Sequence, residues 1–420
     1  MRTTKNSGFE WIGEIPTSWK LYKGKYMFTQ RNLRGNTIEL QLLSPTQKYG
    51  VVPQSVYEDR SGMNAVKLNE NANLSALKTI HKGDFCISLR SFQGGFEYSE
   101  YEGVVSPAYQ VFYPVVKVAR GYYKYLFKDS GFIEKMNSYT MTLRDGKNIA
   151  FADFGNTYIP CPPVDEQQRI ADFLDTKCAE IDALTADIQA QIDTLEQYKR
   201  SVITETVTKG LNPNAEMKDS GVFYMAPMNA TWRLTKIGYI CSKLSRSFAP
   251  EDTALICSNK GKVQVRADDL TGIMVSDDNA MQGIRSGDIA IHGMDTWHGA
   301  IALSEYDGKI TRVVHVCDST EDKRFIVYYM QHLAFQGVYK LISNGVRGNT
   351  SDFRSWDKVR DIWIAIPETK EEQAAICDYL DSQCTAVEEV IAIKKEQLEV
   401  LGEYKKSLIF EYVTGKKEVI

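Results

Sequence analysis

Two long stretches of the chain place apolar residues at intervals of seven. The first stretch runs through residues 165–208 and the second through residues 371–414. An apolar seven-residue repeat that persists over about five heptads predicts a coiled-coil helix rather than a helix packed on a globular core. The predicted seam residues are Leu174, Ile181, Ile188, Leu195 and Val202 in the first stretch and Leu380, Val387, Leu401 and Leu408 in the second.

A second apolar row accompanies each seam, three or four residues away from it. We expect this row to contribute to the coiled-coil contact. Polar residues interrupt the seams, and such interruptions commonly fix the register and the partner of a coiled coil. The second row consists of Ile170, Leu184 and Tyr198 and, in the other stretch, of Ile376, Val390 and Tyr404. The polar interruptions are Lys177, Gln191, Gln383, Lys394 and Gln397.

Shorter apolar runs outside these stretches predict mixed α/β globular regions. Runs rich in β-branched and aromatic residues and bounded by glycine are typical of strands, and amphipathic runs are typical of helices. Strands are predicted within residues 83–90, 108–116, 287–293 and 312–318, and helices within residues 121–136 and 325–342.

The chain is internally duplicated. With a shift of 206, residues 165–208 align with residues 371–414 without a gap, and 17 of the 44 positions are identical. Upstream, SGFEWIGEIPTSWKL at 7–21 answers SGVFYMAPMNATWRL at 220–234. A repeat of this length is a signal about the whole fold. It predicts two globular regions, each followed by a long helix, at residues 1–160, 161–213, 214–367 and 368–420.

The net charge of −4 conceals an uneven distribution. Residues 1–160 hold 20 lysines and arginines against 14 acids, a net charge of +6. The two helical segments, 161–213 and 368–420, are each at −5, and residues 214–367 balance. The acidic average therefore does not exclude a partner that carries phosphate, because the acids are concentrated on the predicted helices.

Composition favours a cytoplasmic protein. The sequence contains no apolar run of about 18 residues and no signal-peptide core at its start, so we expect no membrane span. Its eight cysteines form no CxxC pair, which indicates reduced thiols rather than disulfides or a zinc site. Cys178 and Cys384 occupy equivalent repeat positions, and we interpret them as packing residues.

Catalytic motifs are missing from the sequence. It contains no phosphate-binding GxxxxGK[ST] loop, no GxGxxG after a strand, no HExxH and no [DNS]PP[YF] tetrapeptide of amino-methyltransferases. His292 and His298 in HGMDTWH are too weak a pattern to predict a metal site. We therefore expect a protein that binds and positions partners, with no cofactor or metal of its own.

The repeated architecture resembles the specificity subunit of type I restriction-modification enzymes. The residues that carry the resemblance are SGFEWIGEIPTSWKL near the start, IPCPPVDEQQRIADFLDTKCAEIDAL in the middle and LEQYKRSVITETVTKGLN after it, with their copies at 364–390 and 401–414. The second half departs from the pattern where VFYMAPMNATW replaces the WxGxIP form and where IAIPETKEEQ lacks the double proline.

The resemblance implies a fold and a set of partners. Each globular half is expected to be a target-recognition domain on double-stranded DNA, and the two helices are expected to pack as an antiparallel coiled coil that sets the distance between half-sites. Two methyltransferase subunits and, in the full complex, restriction subunits are the implied protein partners. S-adenosylmethionine, ATP and Mg are then expected in those partners.

Polar and basic loops of the two halves are the expected DNA contacts. Arginine, lysine, asparagine, glutamine and histidine supply the donors and acceptors that read base edges and phosphates. Arg144 and Arg347 are the strongest candidates, because they occupy matching repeat positions beside glycines. The candidate residues are Arg34, Arg90, Gln93, Arg144 and Lys147 in the first half and Arg246, His292, His298, Arg347 and Asn349 in the second.

Two alternatives remain open at the level of the sequence. The first is a non-catalytic scaffold whose duplicated coiled coil assembles partners without DNA. The second is an enzyme with an unrecognised catalytic site. A mobility shift with duplex DNA over a salt series separates the DNA reading from the scaffold, because phosphate binding weakens steeply with salt.

Overall fold

A computed structural model describes residues 2–34, 40–63, 74–87, 95–139, 149–266, 280–343 and 352–419. The chain divides into two compact units. The first unit consists of residues 1–188 and 396–420, and the second consists of residues 189–395. Each unit is therefore a mixed α/β globular region together with segments of the two long helices.

The globular region of the first unit contains twelve short strands and five helices within its described residues. The strands are β1 (Thr4–Asn6), β2 (Glu14–Pro16), β3 (Lys20–Lys23), β4 (Phe28–Gln30), β5 (Leu43–Thr46), β6 (Gly50–Pro53), β7 (Lys78–Ile80), β8 (Phe85–Ile87), β9 (Phe96–Tyr98), β10 (Gly103–Val105), β11 (Gln110–Pro114) and β12 (Tyr158–Cys161). The helices are α1 (Gly24–Met27), α2 (Gln54–Ser61), α3 (Arg120–Leu126), α4 (Ser130–Ser138) and α5 (Phe151–Asn156).

A four-stranded antiparallel sheet in the order β4-β11-β8-β9 forms the centre of the first unit. Phenylalanine rings fill the core beside it. The ring of Phe28 lies 5.9 Å from Phe85, 5.7 Å from Phe112 and 5.6 Å from Phe127 between centroids, and all four side chains are buried. Edge-to-face packing of this kind adds to the free energy of burial and fixes the ring positions.

The globular region of the second unit repeats this plan, and its second four-stranded sheet corresponds to the strand pairs β5-β6 and β7-β10 of the first unit. Its strands are β13 (Met217–Lys218), β14 (Met228–Asn229), β15 (Arg233–Lys236), β16 (Cys241–Lys243), β17 (Ala254–Ser258), β18 (Lys262–Val265), β19 (Met281–Ile284), β20 (Ile289–His292), β21 (Ile301–Leu303), β22 (Gly308–Thr311), β23 (Val314–Ser319) and β24 (Trp363–Ile366). Its helices are α7 (Ile237–Ile240), α8 (Lys323–Phe335), α9 (Val338–Ile342) and α10 (Trp356–Arg360).

The central sheet of the second unit has the order β16-β23-β20-β21, and its second sheet has the order β18-β17-β22-β19. Strand by strand, the central sheet matches the sheet of the first unit, since β16, β23, β20 and β21 follow the chain as β4, β11, β8 and β9 do. The two-stranded pairs β3-β12 and β15-β24 also correspond. The prediction of two tandem α/β copies is confirmed.

The two helices predicted in the globular regions are each divided in two. The first breaks after α3, where the carboxylate of Asp129 caps α4 by accepting the backbone N–H of Phe132 at 3.0 Å. The second breaks between α8 and α9 at Gly337, whose φ of +71° ends a right-handed helix. The amphipathic pattern continued across both breaks and concealed them.

Two long helices, α6 (Val164–Lys209) and α11 (Lys370–Val413), contribute residues to both units. In the first unit, Lys405 of α11 bonds Asp182 of α6 at 2.6 Å, and the rings of Tyr412 and Phe173 lie 4.4 Å apart. The later residue of α11 contacts the earlier residue of α6, so the two segments run antiparallel.

The segments of α6 and α11 in the second unit follow the same rule. Lys199 pairs with Glu388, and Lys394 donates to the amide oxygen of Gln191. The predicted antiparallel packing of the repeated helices is thus observed within each unit. Lys394 occupies the seam position of the second stretch at which the sequence has a polar residue, and Lys405 lies four residues after the seam residue Leu401.

Most of the predicted seam is buried. Leu174, Ile181, Ile188, Leu380, Val387 and Leu408 are buried, and Leu195, Val202 and Leu401 are partly buried. The prediction that the second apolar row contributes to the coiled-coil contact is mostly wrong. Leu184, Tyr198, Val390 and Tyr404 are 42% to 54% exposed, and only Ile170 and Ile376 are buried.

The residues that accompany the seam lie on its other flank. Cys178, Ile192, Cys384 and Ile391 are buried, and each follows a seam residue by four positions. Positions three or four residues from a seam lie on opposite flanks of it, and the partner helix covers one of the two. In this chain the partner helix covers the flank whose residues follow the seam residues by four positions.

Candidate DNA interface

An arginine–aspartate ion pair lies next to the central sheet in both units. In the second unit, Nε and Nη2 of Arg246 both donate to the carboxylate of Asp288 at 2.9 Å. In the first, Arg31 donates to Asp84 at 2.6 and 3.2 Å. Both aspartates follow the glycine of the repeated GD motif, and both are buried. Buried carboxylates need such partners, and a two-pronged pair also fixes the guanidinium.

Arg246 was predicted to contact DNA, and the ion pair bears on that prediction. The pair neutralises its charge and occupies two of its N–H groups, so Arg246 offers a ligand its remaining donors in a fixed orientation. The carboxylate of Asp288 also accepts the backbone N–H of Arg285 at 2.9 Å, which ties the loop before β20 to the same point.

A groove of about 700 Å³ opens beside Arg246 in the second unit. Lys243 and Arg312 are exposed residues of its lining, and Nε of Arg312 donates to the carbonyl oxygen of Met281 at 2.9 Å. Gln282 forms the buried floor, where its amide donates to the carbonyl of Val314. The lining contains no carboxylate, so the groove is positively charged and suits phosphate and base edges.

A smaller neighbouring cavity of about 310 Å³ has the opposite character. It shares Arg246 with the groove, but Glu251, Asp252 and Asp307 lie in its wall. Carboxylates repel phosphate, so the cavity is a poor site for nucleic acid. The charge difference between the two concave surfaces selects the groove as the candidate interface.

The two predicted histidines of the second unit have different surroundings. Nδ1 of His292 accepts the backbone N–H of Asp295 at 3.1 Å, and burial lowers the pKa of His292. That ring is therefore engaged by its own loop. His298 lies in a turn of 3-10 helix and is 54% exposed, so its ring is available to a ligand.

Arg34 is exposed in the first unit and pairs through its backbone with Lys78 of β7. Lys78 is buried and donates to the carbonyl oxygen of Tyr109 at 2.6 Å. Burial and the charge of Arg34 lower the pKa of Lys78. Two cationic side chains at one edge give the first unit a positive site, although Lys78 is held inward by its bond to Tyr109.

Six of the ten predicted contacts lie outside the described residues, and their contacts with DNA stay predictions. They are Arg90, Gln93, Arg144, Lys147, Arg347 and Asn349.

Lys243 and Arg312 were not among the predicted contacts. Lys243 is the last residue of β16 and is followed by a stretch that contains serines and an arginine. Arg312 was counted in the predicted strand 312–318, whereas β23 begins at Val314 and Arg312 lies in the turn before it. A turn between two short strands was the signal that could have identified it.

A glutamine near the start of each long helix joins that helix to its globular region. In the first unit, Gln167 accepts the backbone N–H of Ala119 at 2.9 Å and donates to the carbonyl of Pro162 at 2.8 Å. In the second, Gln373 accepts from Asp322 at 2.9 Å and donates to the carbonyl of Pro367 at 3.1 Å. Both side chains are completely buried. The repeated sequence around the two glutamines therefore fixes each long helix to its globular region.

Part of the chain matches a known protein family. Residues 18–194 match the family described as type I restriction modification DNA specificity domain. The MjaVIII type I restriction enzyme specificity subunit of Methanocaldococcus jannaschii is 23% identical over 316 residues, which are 67% of this chain and 68% of that protein. By these matches the chain resembles the specificity subunits of type I restriction-modification enzymes, a family whose members are generally non-catalytic.

Two solved structures are similar to this chain. One, from work on the structural basis of complex assembly and conformational transition of the type I R-M system, is 15% identical with a TM-score of 0.69 and covers 96% of this chain and 99% of its own. The HsdS subunit of Thermoanaerobacter tengcongensis is 14% identical, covers 98% of this chain and 100% of its own, and has a TM-score of 0.49. The comparison of folds rests on the first of these.

Two further observations concern membrane-spanning helices and cysteines. Within its described residues, no helix combines the length and the apolar character that a membrane crossing requires. All eight cysteines are free, and Cys178 and Cys384 are buried in the packing between helices, as the sequence predicted.

Proposed function

We propose that the two globular domains, residues 1–160 and 214–367, each read one half of a bipartite site on double-stranded DNA. The observation that carries this proposal is the repetition of one sheet order, β4-β11-β8-β9 and β16-β23-β20-β21, in a single chain. Two copies of one scaffold with different loops can recognise two different half-sites. In the second domain, the groove beside Arg246 supplies the charged surface that DNA requires.

The helical segments, residues 161–213 and 368–420, set the spacing between the half-sites. The buried seam and the antiparallel contacts within each unit support this role, because a packed helix pair resists compression. The buried glutamines Gln167 and Gln373 support it further, since a spacer requires a rigid joint at each reader.

The chemistry belongs to partner subunits. Two methyltransferase subunits dock on the chain, and restriction subunits join them in the full complex. Methylation of adenine N6 and ATP-dependent cleavage take place in these partners, which hold S-adenosylmethionine, ATP and Mg. The target adenine leaves the DNA stack to reach a methyltransferase, because its N6 group is inaccessible to such chemistry inside the duplex. The free cysteines support a reducing, cytoplasmic setting.

The spacing role is tested by lengthening the helix pair. Residue 194 of α6 lies opposite residue 392 of α11, since Lys199 pairs with Glu388 and Gln191 with Lys394. Four residues inserted after Thr194 and four after Ala392 keep most of the seam in register, because four residues are close to one helical turn. At about 1.5 Å per residue the spacer should lengthen by about 2 base pairs.

Methylation-site sequencing of a host that carries the complete system is the readout. We expect both half-sites to stay unchanged and the spacer to lengthen. An unchanged spacer contradicts the spacing role, and altered half-sites contradict the division of labour between readers and helices. An insertion in α6 alone is the control, since it breaks the register and should abolish specific methylation.

A further inference from the structure

Each unit exposes a tyrosine next to a lysine–aromatic pair at equivalent positions. In the first unit, Lys23 of β3 is the cross-strand neighbour of Tyr158 of β12, and its Nζ lies 5.5 Å from the centre of that ring. Tyr26 follows in α1 and is 64% exposed. We call Lys23, Tyr26 and Tyr158 the first aromatic face.

The second aromatic face consists of Lys236, Tyr239 and Trp363. Lys236 of β15 is the cross-strand neighbour of Trp363 of β24, with Nζ 5.3 Å from the ring. Tyr239 follows in α7 and is 75% exposed. The same three positions of the fold therefore carry the same chemistry in both units.

Packing does not explain the match. Between residues 20–28 and 233–241, three of nine positions are identical: a leucine, the lysine and the tyrosine. The leucines, Leu21 and Leu234, pack against the hydrophobic cores. The tyrosine rings are mostly exposed to solvent and do not belong to the hydrophobic cores. A single exposed aromatic residue is ordinary, but one kept in both copies beside the same pair indicates a contact made twice.

The two copies differ in the features that DNA would use. Lys25 stands beside Tyr26 in the first face, whereas Gly238 occupies the equivalent position in the second. Lys236 is neutralised by Asp361 at 2.9 Å, whereas Lys23 has no carboxylate within ion-pair distance in the described part of the chain. The two faces therefore share an exposed tyrosine ring but do not share a positive charge. Phosphate contacts depend on charge, and protein interfaces favour tyrosine.

We propose that each aromatic face docks one copy of the methyltransferase subunit, whose contacting surface is an apolar pocket that takes the tyrosine ring. This inference rests on the proposed function, because only a partner present in two identical copies requires two matching faces. The half-sites on DNA can differ between the domains, and the docking faces cannot.

The test uses the full chain expressed together with the methyltransferase subunit encoded beside it. Native mass spectrometry counts the subunits bound to wild type and to the variants Tyr26→Ser, Tyr239→Ser and the double variant. We expect two copies on wild type, one on each single variant and none on the double variant. The loss of a central tyrosine should weaken each site by about tenfold or more. Tyr26→Phe and Tyr239→Phe keep the ring and should keep both copies.

Matched controls change exposed apolar residues that have no counterpart in the other unit. Val115→Ser in the first unit and Leu341→Ser in the second should leave two copies bound. Thermal unfolding of every variant should match wild type, because the changed side chains are exposed.

Binding of the chain alone to duplex DNA separates the possible partners. Unchanged DNA affinity in the tyrosine variants is the expected result. Two bound copies on the double variant overturn the docking proposal, and lower DNA affinity with two copies still bound reassigns the faces to DNA. A wild-type chain that binds no methyltransferase subunit removes the proposed function itself, which distinguishes that failure from a failure of the faces alone.

Discussion

The hydroxyl of Tyr122 donates a 2.6 Å hydrogen bond to the carbonyl oxygen of Val413, a residue 291 positions further along the chain. Tyr122 belongs to α3 in the globular part of the first unit, and Val413 is the last residue of α11. Nζ of Lys416 reinforces the contact by donating to the carbonyl of Ile12 at 2.9 Å. Residues from both ends of the chain thus contact each other in the first unit. The first globular region is held in part by α11 and the residues after it, which lie outside the sequence of that region.

The variant Tyr122→Phe should destabilise the first unit by about 1–2 kcal/mol, because it leaves a buried helix-terminal carbonyl without its donor. The second unit already has Phe325 at the equivalent position, so the ring itself is tolerated by the fold. Urea denaturation measures the change. The control Tyr22→Phe alters a residue that is 38% exposed and should stay within about 0.5 kcal/mol of wild type. Equal effects of the two variants contradict the role of the bond.

Gln167→Met should cost about 2–4 kcal/mol in the first unit. Methionine keeps nearly the same length, but the N–H of Ala119 and the carbonyl of Pro162 lose their partner in a buried site, and each loss costs about 1–3 kcal/mol. Gln168→Met is the matched control. Its side chain is exposed and bonds only Asp172 among the described contacts, so the change should be small.

The same substitution at Gln373 tests whether the joint is duplicated. We expect Gln373→Met to destabilise the second unit by at least a similar amount, since its amide accepts from one backbone N–H, donates to one proline carbonyl and also donates to the carboxylate of Glu321 at 2.9 Å. A large effect in one unit and none in the other contradicts an equivalent joint in the two halves.

Acid should destabilise the second unit through His332. This side chain is buried in α8 against Thr204, at 3.1 Å from its hydroxyl, and burial lowers the pKa of His332 to about 4. The unfolded chain binds the proton near pH 6.5, before the folded state does. Its contribution to stability is therefore complete above pH 6.5 and declines by up to about 3 kcal/mol as the pH falls toward 4.

Denaturation midpoints between pH 7 and pH 5 measure this decline. His332→Gln removes the titrating group and should flatten the profile by about one proton, while His292 and His315, whose pKa values burial also lowers, keep part of the slope. His298→Gln changes an exposed ring and serves as the control. An unchanged slope in His332→Gln contradicts the assignment.

Local sequence patterns predicted the helices and strands. They did not predict which residues are brought together by packing between segments that are distant in the sequence. The seam residue Leu174 followed from the heptad alone, because period determines which face is apolar. Spacing alone could not show whether Cys178 or Leu184 packs beside the seam. The two residues lie on opposite flanks of the seam, and the antiparallel helix covers only one flank. The groove was hidden for another reason. Lys243, Gln282 and Arg312 come from three separate segments, and strand pairing alone brings them together.

The groove yields the last prediction. Lys243→Ala and Arg312→Ala should each weaken binding to duplex DNA about five- to tenfold, because each removes a positive charge from a surface without carboxylates. Fluorescence anisotropy over a salt series measures the affinity, and each loss of a phosphate contact should reduce the salt slope by about one. Arg285→Ala is the matched control, since this exposed arginine lines the neighbouring acidic cavity, and its removal should leave the affinity within about twofold. If Arg285→Ala weakens binding as much as Arg312→Ala does, the effect reflects net charge and the groove is not the interface.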